Sequence, residues 1–122
     1  MLYKYIYVQV RENRFVVRNS GNPEGAPLQG EANFSHPKLL LGDFDVALLC
    51  LKPLVDAARG SILFAPFTSV VIHPLEKIDG GLAPLEERAF IELGEQAGAT
   101  RVVLWSGPPL SDLEVVAKLK EK

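Results

Sequence analysis

Apolar and polar positions alternate with period two from Leu2 to Val10. Lys4, Ile6, Val8 and Val10 fall on one side, and Tyr3, Tyr5, Tyr7 and Gln9 on the other. That spacing, carried by strong β-formers, predicts a strand. Arg11-Glu12-Asn13-Arg14 then leads into a second apolar run, Phe15-Val16-Val17-Arg18. A hairpin turning at Glu12-Asn13 is expected, because asparagine tolerates a positive φ. The tyrosine side is broad and amphipathic. It suits either packing beneath a helix or a subunit contact, and in the second case Tyr3, Tyr5 and Tyr7 are the interface residues. Residues 20–29 hold two glycines and two prolines, too many for a regular element, and read as an exposed loop with little to define a third strand. Short extended segments are expected around residues 32–34 and 39–41.

The period then changes. Phe44, Ala47, Leu48, Leu51, Leu54, Val55 and Ala58 recur at three and four spacings and predict one helix stripe. Asp43 is its N-cap and Gly60 lies just past its end. Pro53 removes a hydrogen bond from the interior, so a kink or break is expected near residues 49–53. Residues 61–66 are apolar but end in proline and read as a lead-in loop. Two later runs, at residues 68–73 and 101–105, are β-branched and apolar without alternation, as in strands covered on both sides. Between them a helix is predicted over residues 84–97, with Pro84 at its first position and Glu86 and Glu87 complementing the dipole. Leu85, Ala89, Phe90, Leu93 and Ala97 are expected inward; Glu86, Glu87, Arg88, Glu92 and Glu95 are expected outward. Strand, helix and strand make a parallel βαβ unit. Ser111 and Glu114 stand at capping-box spacing before a last helix, which is expected to bury Leu113, Val116, Ala117 and Leu119. The fold class is therefore α/β: an N-terminal β-hairpin plus a parallel βαβ unit with flanking helices, in a single domain spanning 1–122.

Composition narrows the function classes. At 122 residues the chain can bury a core without staples, and 48% apolar with 23% charged residues is ordinary for a globular protein. A net charge of −2 argues against nucleic acid as the main partner. Lys4, Arg11, Arg14 and Arg18 nevertheless face Glu12 alone in the first twenty residues. This reads as a hairpin edge guarded by charge, with an anion-binding patch as the alternative. One cysteine, Cys50, excludes an internal disulfide and a multi-cysteine zinc site, and its apolar helical setting predicts an inert thiol. No apolar run is long enough to span a bilayer, and the first residues lack the apolar core of a signal peptide. A cytoplasmic protein with no membrane span, no metal and no cofactor is expected.

Candidate chemistry lies at the carboxyl ends of the two parallel strands, where open α/β sheets bind ligands. That rim offers His73, Asp79, Gly80, Gly81, Ser106, Gly107 and Ser111, with Glu76 nearby and two helix N-termini to receive an anion. The Gly80-Gly81 pair matches neither a Walker loop nor the three-glycine dinucleotide fingerprint. His73 and Asp79 superficially resemble the His-x4-Asp box of glycerolipid acyltransferases, but the spacing is one residue too long and Pro74 stiffens the link. His36 and Asp43 are spaced worse. Ser61, Ser69 and Ser106 lack the glycines of a nucleophile elbow.

From about Leu41 to Leu110 the chain resembles part of MreB, the bacterial actin homologue. The residues that carry the likeness are Leu41-Gly42-Asp43-Phe44-Asp45, Pro66-Phe67-Thr68-Ser69-Val70-Val71-Ile72, Leu85-Glu86-Glu87-Arg88-Ala89-Phe90, and Gln96-Ala97-Gly98-Ala99-Thr100-Arg101-Val102-Val103-Leu104. The resemblance implies a ribonuclease H-like, actin-like subdomain, with the N-terminal hairpin as its first two strands. Where that superfamily carries Asp-x-Gly-Thr to cradle phosphate, this chain reads Ile6-Tyr7-Val8-Gln9-Val10-Arg11. Where the family has Glu-Glu-Pro, Ser106-Gly107-Pro108-Pro109 stands instead. The family's second half, with its own phosphate and adenosine motifs, has no counterpart in these residues. A reduced subdomain without ATP chemistry is implied, and no functional residue of the family carries over.

Three readings follow. The first is a non-catalytic MreB-like interaction module linked to cell shape or envelope assembly, whose protein partner is itself, as a homodimer, or a cytoskeletal component. The second is a protein that binds a small anionic ligand or nucleotide at the rim around His73 and Ser106. The third is an acyltransferase or hydrolase working through His73.

Overall fold

The computed structural model describes residues 3–60, 66–77 and 80–121. Its first element is the expected hairpin: β1 (Tyr3–Arg11) runs antiparallel to β2 (Arg14–Asn19). The turn is made by Glu12 and Asn13, and Asn13 takes the positive φ of 56° that asparagine allows. The Asn13 side chain is tied down as well, since its Oδ1 accepts from the Ser35 backbone N–H at 2.7 Å.

A third strand, β3 (Leu28–Glu31), pairs antiparallel with β2 where the sequence suggests only loop. Leu-Gln-Gly-Glu has no β-branched residue, so the pairing edge of β2 and the helix above it define this strand. Gly30 lies directly beneath that helix. A Cβ there would come within 2.8 Å of Leu54 Cδ1 and 3.2 Å of Cys50 Sγ. Because β3 occupies the outer edge, β2 is paired on both sides, and the hairpin arginines lie on a sheet face rather than along an edge. The edge-guarding reading therefore gives way. No strand forms at residues 32–34 or 39–41. Phe34, Leu40 and Leu41 are instead buried in the core, with Phe34 stacked on Phe15 at 4.5 Å.

Helix α1 (Phe44–Arg59) is capped by the Asp43 side chain, which accepts from Val46 N–H at 3.1 Å, and ends at Gly60 with φ 67°. Pro53 does not interrupt it. Both Pro53 and Leu49 face outward, so the Leu49 carbonyl left without its partner is on the side open to water. Strand β4 (Phe67–Pro74) follows, then α2 (Pro84–Gln96) and β5 (Arg101–Leu104). β4 runs parallel to both β1 and β5, which gives a mixed sheet of order β3-β2-β1-β4-β5.

Phe90, Leu93 and the C-cap residue Ala97 are buried as expected, and Gly94 joins them on the inward stripe of α2. Its first turn departs from expectation. Leu85 is 81% exposed, and Glu86 takes the position one turn above Phe90. Gly94 allows the helix to approach β5, since a Cβ would meet Val102 Cγ2 at 2.7 Å.

Helix α3 (Asp112–Lys120) starts with the capping box read from the sequence: Glu114 N–H donates to Ser111 Oγ, and Ser111 N–H to Glu114 Oε1. Its rotation is different from the one expected. Val115 and Leu119 are buried, Ala117 is exposed and Leu113 is 84% exposed. Apolar residues at 113, 115, 116, 117 and 119 leave a nine-residue helix without one unique stripe. Three contacts choose among the options: Arg18 to Asp112 at 2.7 Å, the Lys118 ammonium 3.9 Å over the Trp105 ring, and Arg101 donating to the Leu119 carbonyl at 2.6 Å.

Helices thus pack on both faces of the sheet, fully on one and in part on the other. Helices α1 and α2 bury Ile6, Val8, Val10, Phe15, Val17, Val70 and Ile72 on one side. On the other, α3 alone covers Tyr7 and Val71. No described helix is long and apolar enough to cross a membrane.

Candidate functional site

His73 is the centre of the rim that the sequence points to, and it is fully buried. Along β4 it belongs to the α3 side of the sheet, where alternation places it with Ser69 and Val71. Its Nδ1 lies 2.7 Å from the Tyr7 hydroxyl and its Nε2 lies 2.9 Å from the Gly107 carbonyl. The Tyr7 oxygen accepts the Leu110 backbone N–H at 3.1 Å. These contacts assign the protons. A carbonyl can only accept, so Nε2 carries the ring hydrogen and donates to Gly107, while Nδ1 accepts from Tyr7 O–H. Desolvation holds the imidazole pKa below its ordinary value; the Gly107 hydrogen bond opposes this in part, and the Arg11 charge adds to the lowering. His73 is therefore a neutral, doubly bonded residue that pins the segment after β5 to β1 and β4. Its nitrogens are both occupied, and it presents no base to solvent.

The remaining rim residues are dispersed by the pleat. Gly81 and Ser106 line a cleft of about 520 Å³ together with Pro74, Leu82, Glu87, Ile91 and Leu104. Pro74 and Leu104 belong to the α1/α2 side of the sheet, opposite His73. The cleft is mostly apolar, and Glu87, the one charged side chain among its described lining residues, repels the anion expected at this rim. Gly80 is exposed with φ 78° and Gly81 has φ 88°; neither joins the buried network. Gly107 serves that network through its carbonyl, and it lies so close to Trp105 that a Cβ would meet the ring at 2.6 Å. Ser111 is committed to the α3 cap. Asp79 lies outside the described residues. Among those described, no group of three or more His, Cys, Asp or Glu side chains is placed to hold a metal ion. Cys50 is half-buried, and its thiol pKa is pushed up by burial.

The tyrosine row resolves residue by residue. Tyr7 is buried beneath α3 and cannot reach another molecule. Tyr5 is half-buried and Tyr3 is 47% exposed, stacked on Tyr5 at 6.3 Å and against Phe67 at 5.4 Å. Beside them runs a groove that the sequence reading missed. One part, about 570 Å³, is lined by Tyr5, Ser20, Pro23, Asp112, Leu113, Val116 and Lys120, among others. A second part, about 440 Å³, continues from Tyr5 and Lys120 to Tyr3, Ser69 and Arg101. Among the described residues the buried Ser20 hydroxyl has no hydrogen-bond partner, and neither does Asp112 Oδ1. Nine residues of helix are too short to cover a five-stranded face, and that shortness was the signal available in the sequence.

No family model matches the chain. A protein of Escherichia coli (strain K12) described as "Uncharacterized protein YjaA" is 34% identical to it over 128 residues, a match taking in 96% of this chain and 98% of that protein. With nearly the full length of both proteins aligned, the chain belongs to the YjaA family.

Proposed function

We propose that the chain is a non-catalytic protein-interaction module of ribonuclease H-like, MreB-like build that docks a second copy of itself through the groove beside α3. The build is supported by the hairpin lying against the parallel pair, with β1 joined to β4 and helices on both faces. The observation that carries the docking is a projection and a hollow on one surface. Leu113 stands 84% exposed next to the cavity formed by Tyr5, Pro23 and Val116. A two-fold contact requires a self-complementary patch, and these two features supply one. Lys120 and Asp112, the latter held by Arg18, border the same cavity and put both signs of charge at its rim. Burying one leucine side chain contributes about 1.5–3 kcal/mol, and two are buried per dimer. The MreB likeness assigns such a module to cell shape or envelope assembly, in the cytoplasm and without ATPase activity, and a histidine with both nitrogens occupied is in keeping with a structural rather than catalytic rim.

Sedimentation velocity over a concentration series tests the reading. The native chain is expected to dimerise and Leu113→Glu to remain monomeric with an unchanged unfolding temperature. A native chain that stays monomeric at its highest soluble concentration refutes it.

A further inference from the structure

The two-residue turn places Arg11 and Arg14 directly opposite each other across β1 and β2. Both belong to the α3 side of the sheet, with Gln9, Val16 and Gln29 in the next row. Helix α3 packs on β1 and β4 over Tyr7 and Val71, so no described helix covers the arginine end of this face. Like charges directly opposite one another destabilise a strand pair. Neither guanidinium is relieved: among the described residues, Arg11 and Arg14 make no ion pair and no side-chain hydrogen bond, whereas Arg18 is paired with Asp112 and Arg59 with Asp56. The described carboxylates nearby are otherwise engaged or set apart. Glu12 pairs with Lys77 at 3.2 Å, the Glu76 carboxylate accepts the Glu12 backbone N–H, and Glu31 stands opposite Arg14 on β3 without bridging to it.

We propose that Arg11 and Arg14 together bind a phosphoryl group of a small soluble ligand. Two guanidinium forks present parallel N–H donors that match phosphate oxygens, and a dianion between them turns the repulsion into attraction. Arg11 ends β1, which runs parallel to β4, so the pair lies at the carboxyl end of the parallel strands, where α/β sheets receive ligands. The Gln29 amide and the Gln9 amide, whose Nε2 also reaches the Tyr7 hydroxyl at 3.5 Å, supply neutral polar groups for the rest of the molecule, and Glu31 bounds the site on the β3 side. The net charge of −2 disfavours a long polyanion such as nucleic acid and leaves a compact one. The site is separate from the groove beside α3 and does not depend on the docking reading.

Thermal unfolding with and without sodium pyrophosphate at low ionic strength, on the native chain, Arg11→Gln, Arg14→Gln and Arg88→Gln, tests the proposal. At roughly tenfold excess over Kd, the native chain and Arg88→Gln, altered on the far side of the sheet, are expected to gain about 6 °C. The two turn variants are expected to unfold at or above the native temperature without pyrophosphate, because the opposed charge is gone, and to gain nothing from it. ³¹P line broadening of pyrophosphate, which reads binding without reference to stability, is expected with the native chain and absent with either turn variant. A native chain that neither gains stability nor broadens the signal overturns the site. So do turn variants that respond as fully as the native chain, or that unfold well below it.

Discussion

Replacing Tyr7 by phenylalanine removes a single oxygen and keeps the ring that packs between α3 and the sheet. That oxygen accepts from Leu110 N–H at 3.1 Å and donates to His73 Nδ1 at 2.7 Å. Gln9 Nε2 also donates to it at a long 3.5 Å and, being part-buried, turns to water at little cost. The two shorter bonds are lost unequally. His73 is fully buried, so its Nδ1 is left without any partner, at a cost of about 1–3 kcal/mol. Leu110 is half-buried, so water reaches its N–H and the cost there is about 1 kcal/mol. The sum is about 2–4 kcal/mol, and at this chain length each kcal/mol lowers Tm by about 4 °C. Tyr7→Phe is therefore expected to unfold about 8–16 °C below the native protein. Urea denaturation checks the free energy directly, with an unchanged m-value showing that the same surface is exposed on unfolding. Tyr3→Phe is the control: Tyr3 is 47% exposed with no side-chain hydrogen bond among the described residues, and the change is expected to stay within about 0.5 kcal/mol. A Tyr7→Phe variant as stable as the control would show that the hydroxyl does not satisfy His73, and the proton assignment in the network would fall with it.

Stability is also expected to depend on pH through His73. Its folded pKa lies below the ordinary 6.5, so the contribution is whole above pH 6.5 and is lost as pH falls from there toward the folded value, because only the unfolded chain takes the proton. The slope reaches at most about 1.4 kcal/mol per pH unit; urea midpoints at descending pH and the His73 ring proton shifts measure it, and a ring midpoint above 6.5 contradicts it. Gly30→Ala is expected to cost about 1–3 kcal/mol by pushing its Cβ against Leu54, and to cost clearly less in a Leu54→Ala background. A double-mutant cycle without coupling would remove the close approach of α1 as the reason for glycine on β3.

The elements legible in the sequence are those specified by local chemistry. The hairpin turn at Asn13, the Asp43 cap, the Ser111 capping box and the unbroken apolar runs of β4 and β5 each announce themselves within a few residues. β3 was not legible because Leu28–Glu31 has no intrinsic strand preference and becomes a strand only through β2. The rotations of α2 and α3 were misread at Leu85 and Leu113, since apolar residues also lie off the buried stripe and distant contacts make the choice. At the candidate site, His73 and Pro74 are neighbours in the chain but face opposite sides of the sheet, so a rim read as one cluster is two environments. The bond from His73 to Tyr7 joins residues far apart in sequence, and nothing near either of them foretells it.

Of the five strands in the sheet, the central one is synthesised before the other four. β1 acquires β2 at once through the turn, but its other edge pairs only with residues 67–74, and the Tyr7 hydroxyl meets its last partner at Leu110. While the chain is being made, the middle of the molecule is therefore an open template with its aromatic face bare. Closure of that edge waits on β4, and a nascent chain halted before that point presents to its neighbours the backbone edge that the folded sheet keeps entirely for itself.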